Sequence, residues 1–308
     1  MTKKQEKIYE FLLQKPSYIS TGYSQLKELG SEKDVKIAKA EARKTIRGGN
    51  KKQVAPIGNF RNAPGTYLVT GCLHAPWHNK AMYDSVFNYV SKEVDLQGLI
   101  LAGDFLDMNS LSFHDKGSTP IQGVTLAWEY AESNKLLDQF DDLNIKGTKD
   151  FLYGNHEDRY LRLMKKSDEA KYGKALISPE EGLKLKERGY SVYTKWKDDC
   201  IKVGEHLDIY HGEICTLHAA KKTIDVYRRS AMFFHTHRFQ MYVEGNMGGY
   251  NMGCGADLSA PIFGYATRAM KASWVNSCAL VTLDENGFYH VQPMTCMENK
   301  LFINGKNY

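Results

Sequence analysis

The chain has 308 residues, 42% of them hydrophobic, a net charge of +5, and six cysteines with no CxxC or other short pairing. This composition supports a full apolar core and excludes a disulfide-stapled scaffold; no run approaches the roughly 18 apolar residues of a membrane span, and the charged opening MTKKQEKIYEFLLQ lacks a signal peptide's apolar stretch, so a cytoplasmic protein with reduced thiols and no membrane contact is expected. Residues 1–52 hold 13 Lys and Arg against 6 Asp and Glu, so the basic character is concentrated there and the rest of the chain is close to neutral.

In chain order, Lys4–Gln14 carries Ile8, Phe11 and Leu12 at helical spacing. TGYSQLKELG, ending at Gly30, is a second short helical candidate. Ser31 with Asp34 opens a third in N-cap fashion, running to the glycines at Gly48. Together they predict a small basic all-α module over residues 1–48, in the order of a helix-turn-helix. Its third helix carries Lys33, Lys36, Lys39, Arg43, Lys44 and Arg47, a row that suits nucleic-acid phosphates. A solvated face or a protein-docking surface accounts for the same charges, and they name no protein partner. Residues 49–65, rich in Gly, Pro and Asn, read as a linker.

From residue 66 to 308 the pattern changes to that of an α/β domain. Short apolar strands, TYLVT, LIL, DFLY, LDIY and AMFF, each run into a polar cluster, with helical periodicity over Asn79–Val94 and Val124–Leu143. RYLRLMKKSDEAKYGK after His156 is a lysine-rich helical insert, and Ser178, Pro179 and Glu181 mark the start of a further helix. CALVTL and FYHVQPM flank DENG as a hairpin.

Open α/β sheets place their ligands at the carboxyl ends of strands. Those ends here read GCLH (Cys72, His74), GDFLD (Asp104, Asp107), GNHEDR (Asn155, His156, Arg159), HG (His211) and HTH (His235, His237). Cys72 and His74, two apart on an extended chain, are expected to point the same way and converge. The whole set offers more ligands than one cation uses and suits two divalent ions sharing a carboxylate.

This ordered series resembles the calcineurin-like metallophosphoesterases, whose motifs run D-x-H, G-D-x-x-D, G-N-H-[ED], H-x-or-G and G-H-x-H, over Thr66 to Phe239. The resemblance implies a β-sandwich flanked by helices and two divalent ions, manganese by expectation. One would be held by Cys72, His74, Asp104 and His237, the other by Asp104, Asn155, His211 and His235. It makes His156 the general acid and Asp107 the group that orients it. The chain departs from the pattern twice, with Cys72 in place of Asp and Phe234 in place of Gly. A thiolate keeps the charge and favours Zn²⁺ or Fe²⁺ at the first position; a Cys72 that merely fills space beside a weak site is the competing account.

Arg159 reaches either a substrate phosphate or a carboxylate such as Glu157. His114, His78 and Trp77 follow the motifs and either line the pocket, with His114 against phosphate, or pack as ordinary residues. The glycine-rich Asn251–Tyr265 shapes the pocket or serves a turn. The implied reaction is metal-dependent hydrolysis of a phosphate ester by an activated water. The basic N-terminal residues favour a phosphodiester of nucleic acid. The alternatives are a phosphomonoesterase or protein phosphatase with a protein-binding N-terminal module, and a catalytically weak DNA-binding protein.

Overall fold

The computed structural model describes residues 2–14, 27–48, 58–112, 123–166 and 176–308. The backbone separates into two compact units, Met1–Ala55 and Pro56–Tyr308. No described helix is long and apolar enough to cross a membrane.

In the smaller unit, α1 (Lys3–Gln14) and α2 (Glu32–Gly48) bury Ile8, Leu12, Val35 and Ala38. Gln5 Nε2 donates to Asp34 Oδ1 at 2.8 Å, and Ser31 Oγ accepts from the Asp34 N–H at 3.2 Å, which starts α2 where the Ser-Asp pair predicts. Of the expected second helix, Lys27–Gly30 form a turn, and the part before it lies outside the described residues. In the basic row, Lys33 is exposed, Lys36 pairs with Glu32 at 2.8 Å and Lys39 is buried. The side chains of Arg43, Lys44 and Arg47 lie outside the description.

The larger unit begins with a correction. Residues 58–61, expected within a linker, form a strand, β1 (Gly58–Arg61), paired in parallel with β6 (Cys200–Val203). Then follow β2 (Gly65–Thr70), α3 (Lys80–Glu93), β3 (Leu96–Ala102), α4 (Leu126–Asp141), β4 (Ile145–Leu152), α5 (Asp158–Lys166), the single turn α6 (Pro179–Gly182) and β5 (Tyr190–Tyr193). After β6 come β7 (Leu207–Ile209), α7 (Ala219–Tyr227), β8 (Ser230–Phe233), β9 (Phe239–Glu244), β10 (Met247–Met252), α8 (Arg268–Ala272) and the strands β11 (Ser277–Leu283), β12 (Tyr289–Met297), β13 (Lys300–Ile303) and β14 (Lys306–Asn307).

An eight-stranded sheet runs β14-β13-β12-β11-β2-β3-β4-β5, and a six-stranded sheet runs β1-β6-β7-β8-β10-β9. Strands β2 to β5 are parallel, while β11 enters antiparallel beside β2 and pairs with β12 through the expected hairpin. Period-2 alternation divides the larger sheet between two cores. Leu68, Leu99, Leu101, Phe151 and Leu280 face helical partners such as Val86, Val90 and Leu137. Tyr67, Val69, Ile100, Leu152 and Val281 face Ile201, Val203, Ile209 and Met232 of the other sheet. The result is a mixed α/β sandwich of two sheets with helices.

Arg61 links the two sheets. Its guanidinium forms an ion pair with Asp150 of β4, with Nε to Oδ2 at 2.8 Å, and donates to the Tyr193 hydroxyl at 2.8 Å. Asp150 is fully buried, so removing one partner strands a charge away from water. Asp150→Ala is expected to cost about 3–5 kcal/mol in urea unfolding; an Arg61→Met, Asp150→Leu double variant, which removes both charges, should cost less.

Candidate metal centre

Each strand end closes with a tight change of direction. Cys72, His74, Asp104, His235 and His237 all have left-handed backbone, with φ between 38° and 59°. This corrects the expected mechanism of convergence: Cys72 and His74 do not share a face of an extended strand, because β2 stops at Thr70 and the chain kinks at each of them. The kinked loops are laced together, Cys72 N–H to Gly103 O at 2.9 Å, His74 N–H to Asp104 O at 3.0 Å, and Val275 N–H to His237 O at 2.9 Å.

The side chains meet around Asp104. His211 Nε2 lies 3.2 Å from Asp104 Oδ2, 2.9 Å from Asn155 Oδ1 and 3.1 Å from His235 Nδ1. On the other side His74 Nε2 faces His237 Nε2 at 3.1 Å and Asp104 Oδ2 at 4.0 Å. The Cys72 sulfur is within 4.8 Å of ligand atoms of His74 and His237, and equally of Asp104 and His211. All seven residues expected as metal ligands are thus gathered about one carboxylate, in two overlapping groups.

The donor chemistry fits cations. His211 Nδ1 faces the Ala102 carbonyl at 3.3 Å, a contact that suits the tautomer protonated on Nδ1, in which the Nε2 lone pair is turned into the centre. That lone pair then faces the oxygens of Asn155 and Asp104, neither of which donates. His74 repeats the pattern: Nδ1–H donates to Asp107 Oδ1 at 3.0 Å, which leaves Nε2 bare toward the centre. Imidazole nitrogen, carboxylate oxygen and amide oxygen brought this close together form a donor set that suits a divalent ion.

Electrostatics follow from burial. Burial opposes ionisation of Asp104, yet His211, His156 and His74 together hold it well below the ordinary carboxylate range. His235 is pushed down to about 4 by burial and by His211, and His237 well down by burial and His74, so both rings are neutral, as ligation requires. Burial, with Asp104 and Cys254, pushes the Cys72 thiol well up; without a cation it keeps its proton.

His156 sits beside this centre. Its Nδ1 donates to the Asp107 carbonyl at 2.6 Å and lies 3.2 Å from Asp107 Oδ1, so one carboxylate oxygen serves both His156 and His74. Burial pushes the ring down, but Asp104 and Asp107 outweigh burial and Arg159, and its pKa is raised. Among the described residues Arg159 reaches no carboxylate side chain: Nη1 donates to the carbonyls of Asp107 and Met108 at 2.8 and 3.3 Å, and Nη2 lies 3.1 Å from His156 Nε2. Beside them a cleft of about 410 Å³ is lined by Asp107, Asn109, Ser112, His156, Arg159, Ile262, Phe263 and Tyr265, the last three from the glycine-rich stretch. Trp77 packs against Trp128 with ring centroids 5.8 Å apart, and His78 lines a different cleft with Lys80 and Asp84. His114 lies outside the described residues.

Two carboxylates had no assigned role. Glu157 is fully buried and accepts the N–H groups of Asp104, Leu106 and Gly154 at 3.1, 2.8 and 2.8 Å, tying two of the site's loops. Its place in the GNHE string was the available signal. Glu129 of α4, also fully buried, accepts the Asn109 N–H at 2.8 Å and both the N–H and hydroxyl of Ser110, and so pins the loop whose carbonyls hold His156 and Arg159. Nothing in LAWEYAES announces it.

Phe234, the second departure, is buried against Gly71, where a Cβ would meet its ring at 2.8 Å.

No protein-family model matches the chain, and no curated protein sequence does. Among solved structures it is similar to a Vps29 single mutant from Entamoeba histolytica (12% identity, 79% of this chain against 96% of that one, TM-score 0.41) and to a double mutant of the same protein (13%, 79% against 96%, 0.39). Vps29 from Chaetomium thermophilum gives 12%, 75% against 97%, and 0.35.

Two outcomes are expected. Zn²⁺ or Mn²⁺ at a hundred times its dissociation constant should raise unfolding free energy by about 2.7 kcal/mol; His211→Ala should diminish that gain, and Co²⁺ should show a thiolate charge-transfer absorption that disappears in Cys72→Ser. Glu129 is raised from 4.5 to about 7, chiefly by burial. The fold therefore favours its protonated form, and stability present below pH 4.5 is lost as pH rises through 7, on the order of 3 kcal/mol. Urea unfolding across that range should fall more steeply for the wild type than for Glu129→Gln.

Proposed function

We propose that this protein is a metal-dependent phosphoesterase that hydrolyses phosphodiesters of nucleic acid. The observation that carries the reading is the convergence of metal-capable donor atoms around buried Asp104, with His156 and Arg159 opening beside it into a cleft. The order of the motifs at the strand ends supports it independently. Asn155, His211 and His235 with Asp104 would hold one divalent cation, and Cys72, His74 and His237 with Asp104 a second. Bound there, such ions supply Lewis acidity toward phosphoryl oxygens and a lowered pKa for an attacking water.

The chain's own groups do the rest. Asp107 fixes the His156 ring through Nδ1, so only Nε2 is presented to substrate. Its raised pKa keeps a proton available near neutrality for the leaving oxygen. Arg159, held by two backbone carbonyls, directs its remaining nitrogen to the same point, where an anionic oxygen would take the place of the present contact and be bound by both. A nucleic-acid substrate is supported by the basic residues of the first 52 positions, among which Lys4, Lys7 and Lys33 are exposed.

Hydrolysis of an aryl phosphodiester and the matching monoester, with Mn²⁺ added, tests this. The diester should be the better substrate, and His156→Ala should lower its turnover about 10²- to 10⁴-fold. Monoester preference would move the assignment to a phosphomonoesterase, and absence of turnover with either ester would overturn the enzymatic reading.

A further inference from the structure

The cleft beside His156 has two chemically different walls. One side presents His156, Arg159, Asp107, Asn109 and Ser112; the other is Ile262, Phe263 and Tyr265. At about 410 Å³ it is far larger than a phosphoryl group needs and falls within the range of small-molecule sites. Among the described residues lining it, Arg159 is the one permanent cation, which suits one phosphate rather than a polyphosphate.

The apolar wall is preformed. The Asp257 N–H is bound by the Trp77 carbonyl at 2.8 Å, and successive turns bond Phe263 N–H to Ala260 O at 3.1 Å and Ala266 N–H to Phe263 O at 3.0 Å. Phe263 is buried edge-on to the ligand imidazoles, its ring centroid 5.4 Å from His74 and 5.6 Å from His237. Tyr265 stands one ring farther out, 6.4 Å from Phe263, and is 69% exposed. From the metal centre outward the order is therefore imidazoles, a buried ring, then an exposed ring at the mouth of the same cleft. A large aromatic held on an ordered backbone and left uncovered beside a polar floor is a stacking platform without its partner.

Resting on the phosphoesterase reading above, we infer that Tyr265 and the Ile262–Phe263 wall bind the nucleoside portion of the substrate, the base stacking on Tyr265 while the phosphate lies against His156 and Arg159. Tyr265 thereby selects nucleoside phosphate esters over simple alkyl ones.

The test uses the full chain with Mn²⁺ and two diesters sharing one leaving group, thymidine 5′-p-nitrophenyl phosphate and methyl p-nitrophenyl phosphate. The wild type should favour the nucleoside ester, mainly through KM. Tyr265→Ala should reduce kcat/KM for the nucleoside ester roughly ten- to hundredfold more than for the methyl ester, the range that loss of one stacked base produces, and Tyr265→Phe should restore the preference. Equal losses on the two esters, or no preference in the wild type, would overturn the inference while leaving the phosphoesterase reading standing. If neither ester is hydrolysed, that reading fails, and calorimetric titration with thymidine 5′-monophosphate and methyl phosphate decides the subsite. Tighter nucleotide binding lost in Tyr265→Ala supports it, and equal binding of both overturns it.

Discussion

The carboxylate of Asp104, sealed from solvent yet ionised, is the charge around which the site is built. A buried carboxylate persists only where positive or donating groups surround it. Here His211, His156 and His74 approach one oxygen, and the other accepts the His156 N–H at 2.8 Å. That N–H is brought to Asp104 because Gly154 has no side chain, since a Cβ there would fall 2.1 Å from Asp104 Oδ1. Glu157, next to it, is raised to about 7 by burial and by Asp104, so the fold resists placing two full charges side by side. Asp107 adds a further buried carboxylate within the same network. A region this rich in acidic groups and metal-capable donors is one that bound divalent cations would neutralise.

Holding these groups together carries a conformational cost. A left-handed non-glycine residue is destabilising by on the order of 1–3 kcal/mol, and five of the candidate ligands adopt that conformation. The compensation is visible in the backbone. The loop after β2 bonds to the loop after β3 at three successive points, Cys72, His74 and Ala75, with Ala75 N–H to Phe105 O at 2.7 Å, and Gly255 N–H adds a fourth through the Cys72 carbonyl at 3.1 Å. The two cores beneath hold the strands in register, so the loops cannot relax without breaking sheet packing. The strain and the sandwich therefore belong to one design, in which a rigid pair of sheets forces five side chains toward a single point.

The strand ends were legible because they combine two strong signals, a short apolar run and then a cluster of groups with little structural reason to sit together. The helices α3 and α4 were legible from their period, and the structure adds the cap, with Asn79 accepting the Met82 N–H at 3.1 Å. What was not legible depends on distant partners. GNFR is a strand because Arg61 finds Asp150, 89 positions away, and nothing local distinguishes it from linker. MGGYNM becomes β10 because Gly249 lets α7 approach, a Cβ there meeting the Ala220 carbonyl at 2.5 Å. The kinked backbone at Cys72 and His74 was invisible for the same reason: the tertiary lacing that enforces it is absent from the local string. Glu129 shows the limit for the site, since a helical glutamate declares its burial only once the loop it holds is in place.

The two departures from the metallophosphoesterase pattern turn out to be one packing unit. Phe234 fills the space over Gly71, and Cys72, the next residue, belongs to the same apolar cluster as Phe234, Met252, Cys254 and Ala256. An aspartate at position 72 would place another carboxylate in that apolar corner beside Asp104, unpaired whenever cations are absent. A thiol avoids the penalty, because burial keeps it neutral until a cation arrives. A cation bound there would release a proton, which would tie occupancy of the Cys72 side to pH more steeply than a carboxylate would and tilt it toward the softer divalent ions. The large aromatic and the cysteine thus follow from a single constraint, an apolar wall brought up against the candidate metal centre, and each makes the other tolerable.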